Sequence, residues 1–363
     1  MATLLTHSFS DQERQFQPAF EVLQRAIDQR AFPGAAVAVT HQGWLIALKS
    51  VGRFTYEADS PEVLPDTVYD LASVTKVIAT TAVCMILHER GVFRLEQKVM
   101  EVLPEFAGTD VRRNMIPFRM LLTHASGLPA YVKLFQQTQG QEELIAAAMQ
   151  TPLTADPGSR AEYSDIGFIL LGVALERLAR RPLDQLCRQE IFSRLGLEHL
   201  RYRPPAEWKP RIPPSVDDRS FRHKIIQGEV HDENACVMGG VAGHAGCFGN
   251  AEEVAAFAQC MLRGGAPLIQ AETVELFTRR ETSPAGTSRA LGWDTPSQPS
   301  QSGQHFSSRS FGHLGFTGTS LWIDRERQLS VTLLTNRTWP DCSAQLIKQV
   351  RPAFHNAVVE ALR

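Results

Sequence analysis

The stretch Asp70-Leu-Ala-Ser-Val-Thr-Lys-Val-Ile-Ala-Thr-Thr-Ala-Val-Cys-Met-Ile-Leu constrains this chain more than any other. It reads as a helix that begins near Ser73 and ends at Gly91, a residue suited to a left-handed C-terminal cap. Val77 to Leu87 carries no charge on any face, so other helices or a sheet must enclose it. Two polar groups break the pattern at its start. Ser73 and Lys76 stand three residues apart, which puts them on one face and within mutual reach. A lysine amine beside a serine hydroxyl, at a helix start whose N–H groups favour developing negative charge, makes a serine nucleophilic. On these residues alone a plainer reading stands beside it: Ser73 as an N-cap and Lys76 as a solvated first-turn residue.

The flanking chain says what encloses the helix. Residues 11–31 read as an amphipathic helix, with Phe16, Phe20, Leu23 and Ile27 at helical spacing and Pro33-Gly34 as its stop. Ala35–His41 and Trp44–Val51 are apolar runs separated by Gln42-Gly43, the pattern of a β-hairpin. From Gly91 to about Arg280 the signals are mostly helical, with apolar helices at Ile166–Ala179, Leu183–Leu195 and Glu252–Arg263. Residues 281–310, rich in Ser, Pro, Gly and Gln, read as a flexible loop interrupted by Leu291-Gly-Trp293. Strands return at Phe311–Gly315, Thr319–Asp324 and Leu329–Thr335, and a helix over Ser343–Leu362 ends the chain. Strands at both ends with helices between predict one α+β domain over 1–363. Residues 1–72 and 281–363 form its sheet lobe, flanked by the terminal helices, and 73–280 form an inserted, mainly helical lobe. A cleft between the lobes would hold the start of the Ser73 helix.

Charge and composition exclude several functions. With 37 basic and 39 acidic residues and no basic stripe, neither nucleic acid nor an anionic membrane is an expected partner. Six cysteines without a C-x-x-C pair, several in apolar runs, read as reduced thiols of a cytoplasmic protein. Met1–Gln17 contains Asp11 and Glu13 and lacks the apolar core of a signal peptide, and no run of 18 apolar residues suggests a membrane span. The eleven histidines show no metal-ligand spacing, so no metal and no cofactor is expected.

Two further segments carry reactive groups. Tyr163-Ser-Asp165 follows the Asp156-Pro-Gly turn, and a phenol near a cationic lysine would have a depressed pKa and could take the serine proton. Phe311-Gly-His-Leu-Gly-Phe-Thr-Gly-Thr319 puts His313 on a strand edge between glycines that allow close approach of a substrate. Serine with lysine at a helix start, a tyrosine 90 residues later and a glycine-flanked basic residue 150 further on (163 − 73 and 313 − 163) resemble the serine β-lactamase and penicillin-binding-protein superfamily. Within it the chain is similar to the branch of class C β-lactamases, D-amino-acid-releasing peptidases and related esterases. Leu122-Thr-His-Ala-Ser-Gly-Leu, Gly240-Val-Ala-Gly-His-Ala-Gly and Gly315-Phe-Thr-Gly-Thr-Ser-Leu-Trp-Ile-Asp324 fit the same branch.

The resemblance implies a β-lactamase/transpeptidase-like fold with an inserted all-helical subdomain. It implies Ser73 as the acylated nucleophile, Lys76 as its partner and Tyr163 as general base. The N–H groups of Ser73 and Phe316 would form the oxyanion hole. His313, Leu314 and Gly315 stand where the family has Lys-Thr-Gly, and Asp165 stands where it has Asn. These departures bear on the substrate. His313 is a part-time cation near neutral pH, Leu314 lacks a hydroxyl, and Asp165 adds an anion, so β-lactamase activity is expected to be weak or absent. Asp165 near Lys76 would keep the amine protonated and shift the base role to Tyr163. His231, Asp232 and His244 beside the glycine-rich loop are expected to anchor it, and His124 and Ser126 to shape a turn. The expectation is a serine hydrolase acting on a small ester, a D-amino-acid amide or a muropeptide. The rival is a sensor that is acylated at Ser73 and does not turn over.

Overall fold

A computed structural model describes residues 4–363. In chain order its strands are β1 (Thr6–His7), β2 (Gly34–His41), β3 (Trp44–Gly52), β4 (Tyr69–Asp70), β5 (Arg201–Tyr202), β6 (Val216–Asp218), β7 (Lys224–Ile226), β8 (Cys247–Gly249), β9 (Phe311–Leu314), β10 (Ser320–Asp324) and β11 (Leu329–Thr335). The main sheet has the order β1-β3-β2-β11-β10-β9, antiparallel except where β1 runs parallel to β3. Its centre pairs the N-terminal β2 with the C-terminal β11 from Ala35↔Thr335 to His41↔Leu329. Every residue of β11 is buried, so both faces of the sheet are covered.

The alternation along β2 says by what. Val37 and Val39 point into a core with Phe20, Trp322, Val331 and Phe354, built with the helices Gln17–Asp28 and Ile347–Glu360. Ala36 and Ala38 point the other way, into the larger core that holds the Ser73 helix. Small residues there admit the helix Ala251–Leu262, which packs on β2, β10 and β11. Sequence periodicity assigned this helix to the middle lobe, but its packing places it on the sheet. The β2–β3 turn has positive φ at both Gln42 and Gly43 (51° and 89°), the geometry that matches strand twist in a two-residue hairpin.

Helices dominate between Ser73 and Arg280, and two small sheets, β4-β8-β5 and β6-β7, are set among them. The Ser73 helix lies where its apolar run predicts, with irregular turns. It opens as a 3₁₀ turn (Ala72–Val74), widens to a π-helical stretch (Lys76–Thr81) and becomes α-helical over Ala82–Glu89, with Gly91 at φ 68° beyond it. Ala72–Glu89 is long and apolar enough to cross a membrane by composition, at a mean hydropathy of 1.2, but it is a core helix, 83% buried in the protein.

Beside it runs the helix Asp165–Ala179, started by Ser164, whose Oγ accepts from the Gly167 N–H at 3.2 Å. The glycine-rich loop before β8 presses against this helix. A Cβ at Gly243 would run into the Phe168 carbonyl, and one at Gly172 would lie 2.9 Å from the Gly243 nitrogen. Segment 281–310, expected to be flexible, is irregular but packed. Leu291 and Trp293 are buried, and the Asp294 and Gly312 backbones exchange two hydrogen bonds of 2.9 Å along the outer edge of β9.

The Gly172–Gly243 contact sets the distance between loop and helix, so Gly243→Ala should destabilise the protein by about 1–3 kcal/mol through overpacking. Gly140→Ala, where a Cβ meets nothing within 4 Å, should change stability by less than about 0.5 kcal/mol. Denaturant unfolding of the two variants measures the contrast.

Candidate active site

Ser73 lies at the floor of a cavity of about 910 Å³ between the lobes. The chain reaches it through a strained turn: Ala72 has φ 46°, a left-handed conformation unfavourable for a residue with a Cβ. Three ties hold the turn. The Asp70 carboxylate accepts from the Ala72 N–H (2.8 Å) and the His231 N–H (2.6 Å). The Thr317 hydroxyl donates to the Asp70 carbonyl (2.8 Å), and that of Thr319 to the Leu71 carbonyl (3.0 Å). Gly315 lets the strand come this close, because a Cβ there would collide with Thr319 and lie 2.6 Å from the Leu71 carbonyl oxygen. Burial raises the Asp70 carboxyl to about 6.

The residues singled out from sequence meet at Ser73. The Lys76 ammonium donates to Ser73 Oγ at 3.0 Å, and the Tyr163 hydroxyl donates to the same oxygen at 2.8 Å. Lys76 Nζ also donates to Asp165 Oδ1 (2.6 Å) and to the His244 carbonyl (3.0 Å), so its three protons are all engaged. The Lys76 side chain has no exposure and Asp165 is 15% exposed. Burial would lower the lysine pKa, but the charge of Asp165, with Tyr163, outweighs it and the net direction is up. Lys76 is therefore an ammonium at neutral pH.

Two sequence expectations change here. The Tyr163 phenol is not depressed. Burial and then the Asp165 charge push it up to about 12, against the opposing pull of Lys76 and Ser73. His313 is not a part-time cation. It is 3% exposed, and burial, Lys76 and Arg289 hold it well below its ordinary pKa. Its Nδ1 donates to the Leu314 carbonyl at 2.8 Å, which leaves Nε2 as the unprotonated nitrogen. Leu314, Gly315 and Phe316 line the cavity beside it.

Among the described residues the N–H groups of Ser73 and Phe316 have no hydrogen-bond partner. The Arg351 guanidinium donates to the Gly315 carbonyl at 2.7 Å, and Arg337 Nε donates to the Phe316 carbonyl at 2.7 Å. In a trans peptide the N–H points opposite to the C=O. Arg351 therefore turns the Phe316 N–H away from itself.

The histidines outside this centre brace it. His124, at φ 57°, accepts from the Ser164 N–H through Nδ1 (3.0 Å) and packs its ring 4.7 Å from that of Tyr163. Asp232 accepts from His244 Nε2 (2.8 Å) and from the Ala235 N–H (2.7 Å), which fixes the loop whose carbonyl receives Lys76. The cleft also carries Lys133, Arg289, Arg337, Lys348 and Arg351, none singled out from sequence. They come from loops and one helix end, and no motif or periodicity marks them. Among the described residues no group of three or more His, Cys, Asp or Glu is placed to hold a metal.

The family model described as Beta-lactamase matches residues 19–351. An N-acetylmuramyl-L-alanine amidase of Bacillus subtilis (strain 168) is 33% identical over 84% of this chain and 77% of its own. A provisionally named D-alanyl-D-alanine carboxypeptidase of Escherichia coli (strain K12) is 31% identical over 82% of this chain and 75% of its own. Among solved structures, a penicillin-binding protein homologue from Caulobacter crescentus shares the fold with a TM-score of 0.76 at 18% identity, covering 96% of this chain and 98% of that one. This chain therefore belongs to the beta-lactamase family of serine hydrolases.

Proposed function

We propose that the protein hydrolyses an amide bond of a muramyl peptide through an acyl-Ser73 intermediate. The observation that carries the reading is the double hydrogen bond to Ser73 Oγ, from Lys76 at 3.0 Å and from Tyr163 at 2.8 Å. A binder has no need of a serine held between an ammonium and a phenol. The choice of an amide of this class rests on the similarity to the N-acetylmuramyl-L-alanine amidase of Bacillus subtilis.

Ser73 Oγ attacks the carbonyl carbon, and the oxygen that becomes negative lies between the N–H groups of Ser73 and Phe316. Lys76 is locked as a cation by Asp165, so it stabilises charge and does not accept the proton. Tyr163 relays it: the phenol receives the Ser73 proton and passes its own to the leaving nitrogen. The relay never requires a free phenolate, whose formation a pKa of about 12 opposes. Water then enters, returns a proton through Tyr163, and releases the acid from Ser73.

Ser73→Ala should abolish turnover of N-acetylmuramyl-L-alanine peptides and of p-nitrophenyl esters. Tyr163→Phe should lower kcat by about 10²–10⁴ with little change in KM, measured by steady-state kinetics. A stable Ser73 adduct without turnover, seen by intact-mass spectrometry, would support a sensor in place of an enzyme.

The ion pair makes a prediction about stability. Asp165→Asn leaves the buried Lys76 charge without its partner and should destabilise the protein by about 3–5 kcal/mol near neutral pH. Burial then outweighs the remaining upward pull of Tyr163, and the Lys76 pKa should fall below that of the unfolded chain. The unfolded state binds more protons, so the variant should gain stability as pH rises toward the unfolded lysine value of about 10.4. The wild type has the opposite sign. Its raised Lys76 contributes stability below that value and loses it as pH climbs through the folded pKa. Unfolding of both proteins between neutral and alkaline pH reads the two slopes.

A further inference from the structure

We propose that the acyl side of the cleft carries a pyranose-binding subsite, with the Phe316 ring as its platform and His231 as its polar partner. The inference rests on the acyl-Ser73 reading above and adds how the sugar of a muramyl peptide would be recognised.

The cleft does not end at Phe316. A second cavity, of about 530 Å³, continues from it, and the two share Ser220, His231, Glu233 and Cys342 in their walls. Neighbouring chemistry fixes which part of a substrate extends there. The leaving atom takes its proton from Tyr163, which lines the first cavity and has no part in the wall of the second. The second cavity opens instead beside Phe316, whose N–H is the candidate donor to the carbonyl oxygen. It therefore receives the group that stays bonded to Ser73.

Phe316 is an exposed aromatic held still. It is 55% exposed, while Gly315 and Thr317 on either side of it are buried. The Arg337 guanidinium lies over the ring, 4.3 Å from its centre, and Arg337 Nη1 donates to the Ala344 carbonyl at 3.2 Å, which anchors the prop. The His231 ring stands 5.5 Å away, tilted by 39°. The rest of the phenyl surface looks into the cleft. An apolar face presented to water at a fixed place favours a ligand that covers it.

The polar groups around the ring choose the ligand. His231 is 8% exposed, lines both cavities, and has no hydrogen-bond partner at Nδ1. Its backbone N–H is tied to Asp70, so the ring is placed. A hydroxyl both donates and accepts, and so satisfies Nδ1 in either tautomer. Glu233 lies beside it, with Oε2 accepting from the Tyr131 hydroxyl at 3.2 Å, and a carboxylate has further acceptor sites. Deeper in the second cavity Asp217 pairs with Arg219 and Asp218 with Arg222, each at 2.7 Å, so these groups satisfy each other's charge. An aromatic platform with a rim of hydrogen-bonding groups fits a pyranose, which carries C–H groups on its face and hydroxyls at its edge.

The test measures binding to Ser73→Ala by calorimetry for two compounds. One is N-acetylmuramyl-L-alanine. The other is D-lactyl-L-alanine, which ends at the lactyl oxygen where the sugar would begin. The sugar-bearing compound should bind about 10- to 100-fold tighter. Adding Phe316→Ala, which removes the ring and keeps the N–H, should bring the ratio close to one, and adding Phe316→Trp should keep most of it. Both compounds meet the same oxyanion hole, so a change there cancels in the ratio. Adding His231→Phe, which keeps a ring and removes the nitrogens, should lower the ratio by about 3- to 10-fold. Equal binding of the two compounds to Ser73→Ala overturns the subsite, as does a ratio that survives Phe316→Ala at an unchanged melting temperature. A ratio that survives His231→Phe removes His231 from it. Turnover is read separately on the wild type. Failure to cleave N-acetylmuramyl-L-alanine counts against the muramyl amide reading alone, because the binding ratio needs no cleavage.

Discussion

The buried ion pair between Lys76 and Asp165 is the interaction on which the site depends. A lysine ammonium taken fully out of water is strongly disfavoured unless its charge is matched and its three protons are accepted. Here the acceptors come from three pieces of chain: Ser73 on its own helix, Asp165 at the start of the next, and the His244 carbonyl on the glycine-rich loop. Satisfying one side chain thus fixes the relative positions of all three. The requirement runs outward into packing. The loop can deliver its carbonyl because Gly172 and Gly243 lack side chains, and it stays there because Asp232 grips His244.

In the proposed mechanism the same pair decides which group moves the proton. Asp165 holds Lys76 charged, and its own negative charge, with burial, pushes Tyr163 up to about 12. The site is thereby poised with one cation, one anion and one neutral phenol around the serine. An exchange in which Tyr163 gains and loses a proton together keeps that balance. His124, stacked 4.7 Å from the phenol and neutral by burial, supports the ring without adding charge.

Much of this was legible in the chain because it follows local rules. The unbroken apolar run after Lys76 announced a core helix, the Gln42-Gly43 hairpin and the late strands announced a sheet from both ends, and spacing paired Ser73 with Lys76. What was not legible depends on burial and on long-range contact. The pKa of Tyr163 and the neutrality of His313 follow from how much water the fold removes, which no spacing encodes. The helix Ala251–Leu262 reads like its helical neighbours, and only the run of alanines on one face of β2 hints that it covers the sheet. Arg337 and Arg351 were missed because their roles depend on which backbone carbonyls the fold brings to them, and that is a property of the assembled cleft.

The two arginines at the Phe316 turn show how far such control extends. The Phe316 N–H lies in the Gly315–Phe316 peptide plane, so its direction is set opposite to the Gly315 carbonyl. Arg351, from the terminal helix, holds the Gly315 carbonyl, and Arg337, just beyond β11, holds the Phe316 carbonyl. On the other side of the serine, Asp70 holds Ala72 in its left-handed conformation and ties it to His231. Each candidate oxyanion donor is thus aimed by a charged side chain that touches only backbone. Arg351 donates to both the Gly315 and Thr319 carbonyls and so holds both arms of the β9–β10 turn at once. The sheet's C-terminal strands and the helix behind them are therefore part of the apparatus that presents Ser73, although no residue from that helix has to touch the serine itself.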